Sequence, residues 1–417
     1  LRAKCGGAAA SGVVPFARET TMNIAPDRRA DIDWLRVCAF ALLILYHAGM
    51  AYNSWSWHVK DPEVAPWLEA GMRFMNRWRM PLVFLVSGAA IMLALGRRSP
   101  GAFVRDRLQR LALPLAFGML VIVPPQVYLE RLQRGQFAGS FLDFLPQAWT
   151  GAYPAGNLSW HHLWFLAYVL VLTLVLLPLF LWMRSPVGKA RLDALSHHAA
   201  AHGASLWLLA LPLAAAQFWL TPITSNRNAL VGDWYGLASA ALLLLYGALL
   251  FRSPRLLETL ARQRWLSLLV GMLAYATLQA FFFSGLLGPI SANAARPDYC
   301  LLASLNMVAW LFAVTGFSVT HLTRRTAFLA YATEAVYPFY ILHQTVTVIV
   351  AYHLATVDLP VALKFALTTV ATFAGTWLIY EALIRRIELL RPLFGLKMRS
   401  DTLGLLPAKA ATGWTHL

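Results

Sequence analysis

The sequence predicts an all-α, polytopic integral membrane protein: a helical bundle of about ten transmembrane helices with both termini cytoplasmic. Three observations predict it. The chain of 417 residues is 59% hydrophobic and only 13% charged, with a mean hydropathy of +0.57, whereas soluble domains carry about 25% charged residues. Apolar runs of membrane length recur from end to end. Lys and Arg segregate between alternate connecting segments.

The apolar runs fall near 34–52, 80–95, 111–129, 162–183, 204–221, 234–251, 266–286, 299–320, 331–352 and 361–384. The second is short, and Pro114, Pro124 and Pro125 interrupt the third. Proline is tolerated in membrane helices where neighbouring groups satisfy the freed carbonyls. With the N-terminus inside, the inner segments hold 25 Lys and Arg and the outer loops hold 8, with Arg36 and Lys364 inside spans. That excess follows the positive-inside rule. The net charge of +16 is therefore topological. Its first partner is the anionic lipid headgroup, and no nucleic acid is expected.

The domain plan is simple. Residues 1–30 form a polar tail, of which 1–21 are expected to be an upstream extension before Met22. Residues 31–390 form one membrane domain, and 391–417 a basic cytoplasmic tail. Residues 1–30 lack the apolar core of a signal peptide. Cys5, Cys38 and Cys300 give no disulfide framework. Two outer loops, 53–79 and 130–161, are long enough to carry structure and fit a recognition surface.

The first span carries the strongest chemical signal. Arg36 and His47 are eleven positions apart, which at 3.6 residues per turn puts them on one helix face, about 16 Å apart along the axis. Asp33, Arg36, Phe40, Leu43 and His47 form a stripe at three- and four-residue spacing. An imidazole deep in hydrocarbon is expensive and suggests function. His47 suits a general base in a water-accessible cavity. The bland alternative is an interhelical hydrogen bond, with Arg36 snorkelling to headgroups.

Other constellations are weaker alone. Arg107 and Arg110 lie three apart at the entrance to the third span, where paired guanidiniums suit a phosphate; a positive-inside loop reads the same way. Trp160-His161-His162-Leu163-Trp164 stands at the outer mouth of the fourth span. Adjacent histidines point to different sides of a helix, so no metal site is expected there. In Glu334-Ala-Val-Tyr337-Pro338-Phe-Tyr340-Ile-Leu-His343 of the ninth span, His343 lies at nearly the depth of His47. Two imidazoles could therefore share one plane, or His343 could simply bridge two helices. Arg73, Arg77 and Arg79 with Trp78 suit a glycan or an anionic acceptor, or equally headgroups. No phosphate loop, zincin motif, Gly-x-Ser-x-Gly elbow or zinc-spaced Cys pair occurs.

Taken in order, these motifs resemble the membrane-bound acyltransferase 3 family, most closely its glucan-modifying branch that succinylates periplasmic glucans. The resemblance rests on Arg36-x10-His47, Phe84-Leu-Val-Ser87-Gly88, Arg107-x-x-Arg110, His162-Leu-Trp164-Phe165-Leu166 and Tyr337-Pro-Phe-Tyr340-Ile-Leu-His343-Gln344. It covers roughly residues 30–390. It implies an O-acyltransferase of the bacterial inner membrane that moves an acyl group, succinyl or acetyl, from cytoplasmic acyl-CoA to a hydroxyl of a glucan or other envelope glycan at the outer side. His47 would be catalytic with Arg36, and Arg107 and Arg110 would serve the donor. His343, Tyr340, Glu334, His162, Trp164, Ser87 and Asp33 would line the site. Acyl-CoA is the donor substrate and no cofactor stays bound. The resemblance leaves room for a homodimer or for partners in envelope glycan assembly. The rival reading is a multi-span exporter of an anionic or glycan-linked solute, whose folds carry inverted repeats and broken helices.

Overall fold

The computed structural model describes residues 29–289, 293–294 and 296–399. Within them the protein is all-α, and a single isolated bridge, Ala152 to Leu158, is the nearest approach to a sheet. The two expected tails lie largely outside the described residues.

Twelve helices carry the fold: α1 (Ala30–Met50), α2 (Trp67–Leu95), α3 (Pro100–Gln133), α4 (His161–Val175), α5 (Leu177–Arg184), α6 (Pro186–Ala201), α7 (Gly203–Ile223), α8 (Trp234–Leu250), α9 (Pro254–Phe283), α10 (Pro297–His321), α11 (Ala327–Leu354) and α12 (Val361–Ile384). Eight of these are long and apolar enough to cross a membrane. Helices α4 and α5 pass that test only as a pair, bent by 57°. Helix α8, with 17 residues, is shorter.

Two expectations are corrected here. The second span is not short: α2 starts at Trp67, directly after Pro66, so the outer loop expected over 53–79 ends at residue 66. Nor do the prolines break the third span. Pro114 and Pro124 deprive the carbonyls of Arg110 and Leu120 of their usual partners four residues on. Tyr337 donates its hydroxyl to the Arg110 carbonyl at 2.8 Å, and Trp149 its indole N–H to that of Leu120 at 3.0 Å. Two π-helical turns, Leu108–Ala112 and Gly118–Ile122, take up the remaining mismatch. The bend falls instead between α4 and α5, beside Pro178.

Close helix approaches rest on glycine. A Cβ on Gly88 of α2 would sit 1.9 Å from the Leu244 carbonyl oxygen of α8, and one on Gly247 would sit 1.7 Å from that of Leu85. The two backbones therefore touch in both directions, which only small residues permit. Around this contact the main apolar core joins α1, α2, α4, α8 and α11 through Leu43, Leu85, Leu166, Leu244 and Ile341, all buried.

The ends of the bundle differ in charge. At one end Arg184 bonds to the Leu95 carbonyl, Arg29 lies 5.2 Å over Phe251, Trp34 donates to the Arg324 carbonyl at 3.2 Å, and Phe394 packs 5.3 Å from Phe117. Basic connecting segments gather there. At the other end the loop after α1 folds over the bundle. Lys364 of α12 pairs with Asp61 at 2.8 Å with both groups buried, and Tyr52 bonds Thr368 at 2.6 Å.

Candidate active site

His47 and His343 meet. His47 Nδ1 lies 2.7 Å from His343 Nε2, with the rings 5.0 Å apart and nearly parallel. Both helices run away from the basic end. His47 stands 17 residues into α1 and His343 16 residues into α11, so equal rise brings them to one level.

The partners fix the protons. His343 Nδ1 faces the carbonyl of Tyr340 at 2.8 Å and that of Phe339 at 3.2 Å. A carbonyl only accepts, so this nitrogen carries the hydrogen. In the neutral ring Nε2 is then bare and accepts the Nδ1–H of His47. His47 Nε2 is left as a lone pair with no hydrogen-bond partner among the described residues. The assignment follows from the bonding pattern.

His162 completes a cluster of three imidazoles, edge-on to His343 with ring centroids 5.3 Å apart. Its Nε2 donates to the Ile341 carbonyl at 3.0 Å, which leaves a bare, buried Nδ1. Tyr340 donates its hydroxyl to the His162 carbonyl at 2.5 Å, tying α4 to α11. Trp164, half-buried beside Phe84 and Tyr168, packs behind them. A buried amide network begins at the residue after His343. There Gln344 donates to Gln126 at 3.0 Å, and Gln126 to Thr345 at 2.7 Å.

Over this centre lies the loop between α1 and α2. Trp57 lies parallel to His47, 6.5 Å away. Glu69 of α2 accepts from the Ser54 backbone at 3.0 Å, and Lys60 donates to the Met50 carbonyl at 2.8 Å, so the loop is tied down. Burial lowers the Lys60 ammonium to about 8. Next to Trp57, His58 Nδ1 bonds to the fully buried carboxylate of Glu130 at 2.6 Å, and His58 stacks 4.3 Å from His161. Tyr153 donates to Glu130 at 2.8 Å and Arg134 approaches it at 2.6 Å. Burial and that carboxylate raise the Tyr153 phenol. The three candidate ligands His58, Glu130 and His161 have donor atoms within 4.8 Å of one another. Two ligands at about 2.1 Å from a tetrahedral ion stand about 3.4 Å apart. The closer 2.6 Å contact is a hydrogen bond within a network.

Several residues named from the sequence lie elsewhere. Glu334 pairs with Arg391 at 3.2 Å, towards the basic end and more than two turns from His343. Ser87 turns its hydroxyl back to the Val83 carbonyl at 2.7 Å, and the neighbouring Gly88 serves helix packing. Asp33 is buried and lies 3.8 Å from Arg36. The pair Arg107 and Arg110 is not a free anion clamp. Asp106 lies 2.9 Å from Arg110, 3.7 Å from Arg107 and 2.7 Å from Arg98. A 540 Å³ cavity opens beside them, lined by Arg98, Arg105, Asp106, Gln109 and Lys397.

The sequence reading missed Glu130, His58 and Gln126. A carboxylate at the outer end of a membrane helix was the available signal for Glu130. It had grouped Arg79 with Arg73 and Arg77, but the three separate. Arg73 pairs with Glu69 at 2.6 Å and Arg77 donates to Tyr299 at 2.6 Å. Arg79 is 2% exposed, with Nε and Nη1 unpartnered.

Comparison with known proteins gives the family of the chain. The family model described as an acyltransferase domain matches residues 29–381, from the start of α1 into α12. The chain belongs to that acyltransferase 3 family. Similar curated proteins include glucans biosynthesis protein C of Salmonella paratyphi B (strain ATCC BAA-1250 / SPB7), Salmonella heidelberg (strain SL476) and Salmonella agona (strain SL483). Each is 27% identical over 180 residues, 42% of this chain and 45% of the relative. The match thus spans less than half the length of these relatives. No solved structure matches.

Proposed function

We propose that this protein takes an acyl group, succinyl or acetyl, from cytoplasmic acyl-CoA and transfers it to a hydroxyl of a glucan or other envelope glycan on the outer side of the bacterial inner membrane. The basic end is then cytoplasmic, ten segments cross, and both termini are inside. One observation carries the reading: the His47–His343 hydrogen bond, which leaves His47 Nε2 as a lone pair at the outer level of the bundle.

The acceptor hydroxyl gives its proton to His47 Nε2 as its oxygen attacks the thioester carbonyl. Collapse of the tetrahedral intermediate breaks the C–S bond, and the proton passes to the departing thiolate. An acyl-imidazole on the same nitrogen is the two-step variant. His343 positions His47 through Nδ1 and does not touch the substrate. The Arg98–Lys397 cavity, whose lining residue Asp106 also pairs with Arg110 and Arg107, supports a phosphate-rich donor at the cytoplasmic face. Asp106 orders those guanidiniums before a phosphate arrives. Arg36 marks the lower end of a path about 16 Å long to His47. Its length suits the extended pantetheine arm of CoA. Trp57, His58 and Tyr153 supply aromatic and polar groups for a sugar at the outer mouth, and the buried Glu130 holds His58 and Tyr153 in place. An exporter has no evident use for an imidazole nitrogen kept bare in this way.

Mass spectrometry of periplasmic glycans from cells with wild-type protein, with His47→Ala and without the gene tests the proposal. An acyl mass addition is expected with wild-type protein alone. Identical acylation in all three strains would remove the activity from this protein.

A further inference from the structure

Among the described residues, Arg79 is a buried cation without a counter-ion. It is 2% exposed, it makes no ion pair there, and its Nε–H and Nη1–H find no acceptor. Its guanidinium lies 4.1 Å above the ring of Tyr46, the residue before His47, and the Tyr46 ring is 5.6 Å from the His47 ring. The helix geometry explains this level. Gly49 of α1 abuts Met72 of α2, and the two helices run in opposite directions. Seven residues further along α2, the Arg79 backbone lies about 10 Å deeper. A helical side chain leans toward its own N-terminus, which for α2 is the outer end. The long arm of Arg79 therefore rises back to Tyr46 and His47.

Among the described residues nothing else there is anionic. The neighbouring imidazoles carry no negative charge, and Glu69, ten residues earlier, is taken by Arg73 and Ser54. A guanidinium held in this way loses its hydration and gets only a ring face in return. Unpaired donors in a membrane interior are costly wherever they serve only structure.

We propose that Arg79 is the anion-binding residue of the reaction centre, receiving a negatively charged oxygen of the acyl group. This rests on the transfer chemistry assigned to His47. Two oxygens have that character. One is the oxyanion formed when the hydroxyl oxygen bonds to the thioester carbon and the carbonyl electron pair moves to oxygen. The other is the free carboxylate of a dicarboxylic acyl group. Both are stabilised by N–H donors that carry a positive charge, and both leave Arg79 unpaired in the empty protein.

Purified wild type, Arg79→Met, Arg79→Lys and His47→Ala are compared with acetyl-CoA and with succinyl-CoA as donors, with thermal melting in detergent measured for each. An oxyanion role predicts a kcat loss of about 10²–10³-fold in Arg79→Met with every donor that wild type uses. A carboxylate role predicts loss with succinyl-CoA alone, seen mainly in KM, and partial recovery in Arg79→Lys. In both cases the melting temperature of Arg79→Met is unchanged or raised, because an unpaired buried charge has gone. Full activity of Arg79→Met with both donors overturns the inference, and so does a lowered melting temperature that accounts for the lost activity. Transfer by His47→Ala at the wild-type rate would instead overturn the underlying chemistry.

Discussion

A hydrogen bond between two neutral imidazoles makes a directional statement. Because the Tyr340 and Phe339 carbonyls take the Nδ1–H of His343, His47 must donate from Nδ1 and expose Nε2. In the proposed mechanism His343 is a positioning residue, and its loss should act on turnover. His343→Ala is expected to lower kcat by about 10²–10⁴-fold with little change in donor KM. His343→Gln, whose side-chain oxygen can still accept from His47 Nδ1, is expected to recover part of that loss. Equal kcat for all three proteins in steady-state assays would reduce the pair to an interhelical bond. The two histidines were legible in the sequence because membrane depth can be counted along a helix. Their contact was not, since helix adjacency leaves no trace in spacing. Glu334 and Ser87 show the converse. They sit in the same motifs as site residues, yet the helix turns them to Arg391 and to the Val83 carbonyl.

At the scale of elements, the fold depends on backbone contact between α2 and α8. Gly88→Val and Gly247→Val each force a side chain into a carbonyl less than 2 Å away. Overpacking of this kind costs about 1–3 kcal/mol, so a clearly lower melting temperature is expected in detergent for each variant. Unchanged melting would show that the helices separate freely. The buried Lys364–Asp61 pair locks the loop after α1 onto α12. Removing one partner leaves an uncompensated charge and is expected to cost about 3–5 kcal/mol, while Asp61→Asn with Lys364→Met together should come close to wild type. A double variant as unstable as the singles would contradict this. The sequence flagged Lys364 as a charge within a span, but its partner lies 303 positions earlier in an aromatic loop. The third span shows another limit of local reading. Pro114 and Pro124 look like breaks until Tyr337 and Trp149 are seen to satisfy the carbonyls they free. Those donors come from remote segments.

For the whole molecule, hydropathy and the bias of Lys and Arg were enough to predict a helical membrane bundle, because both follow from what lipid tolerates. The layout of the candidate site was partly legible too. Basic residues collect at one end, and the imidazole cluster lies toward the other under a tethered aromatic loop. The central claim is vectorial: an acyl group enters at the basic end and leaves at the level of His47. Proteoliposomes of known protein orientation, supplied with acyl-CoA on one side and glucan on the other, test it most directly. Acylated glucan is expected only when acyl-CoA faces the basic end and glucan the opposite end, and none is expected with His47→Ala. Equal product from either arrangement, or undiminished product from His47→Ala, would contradict the account.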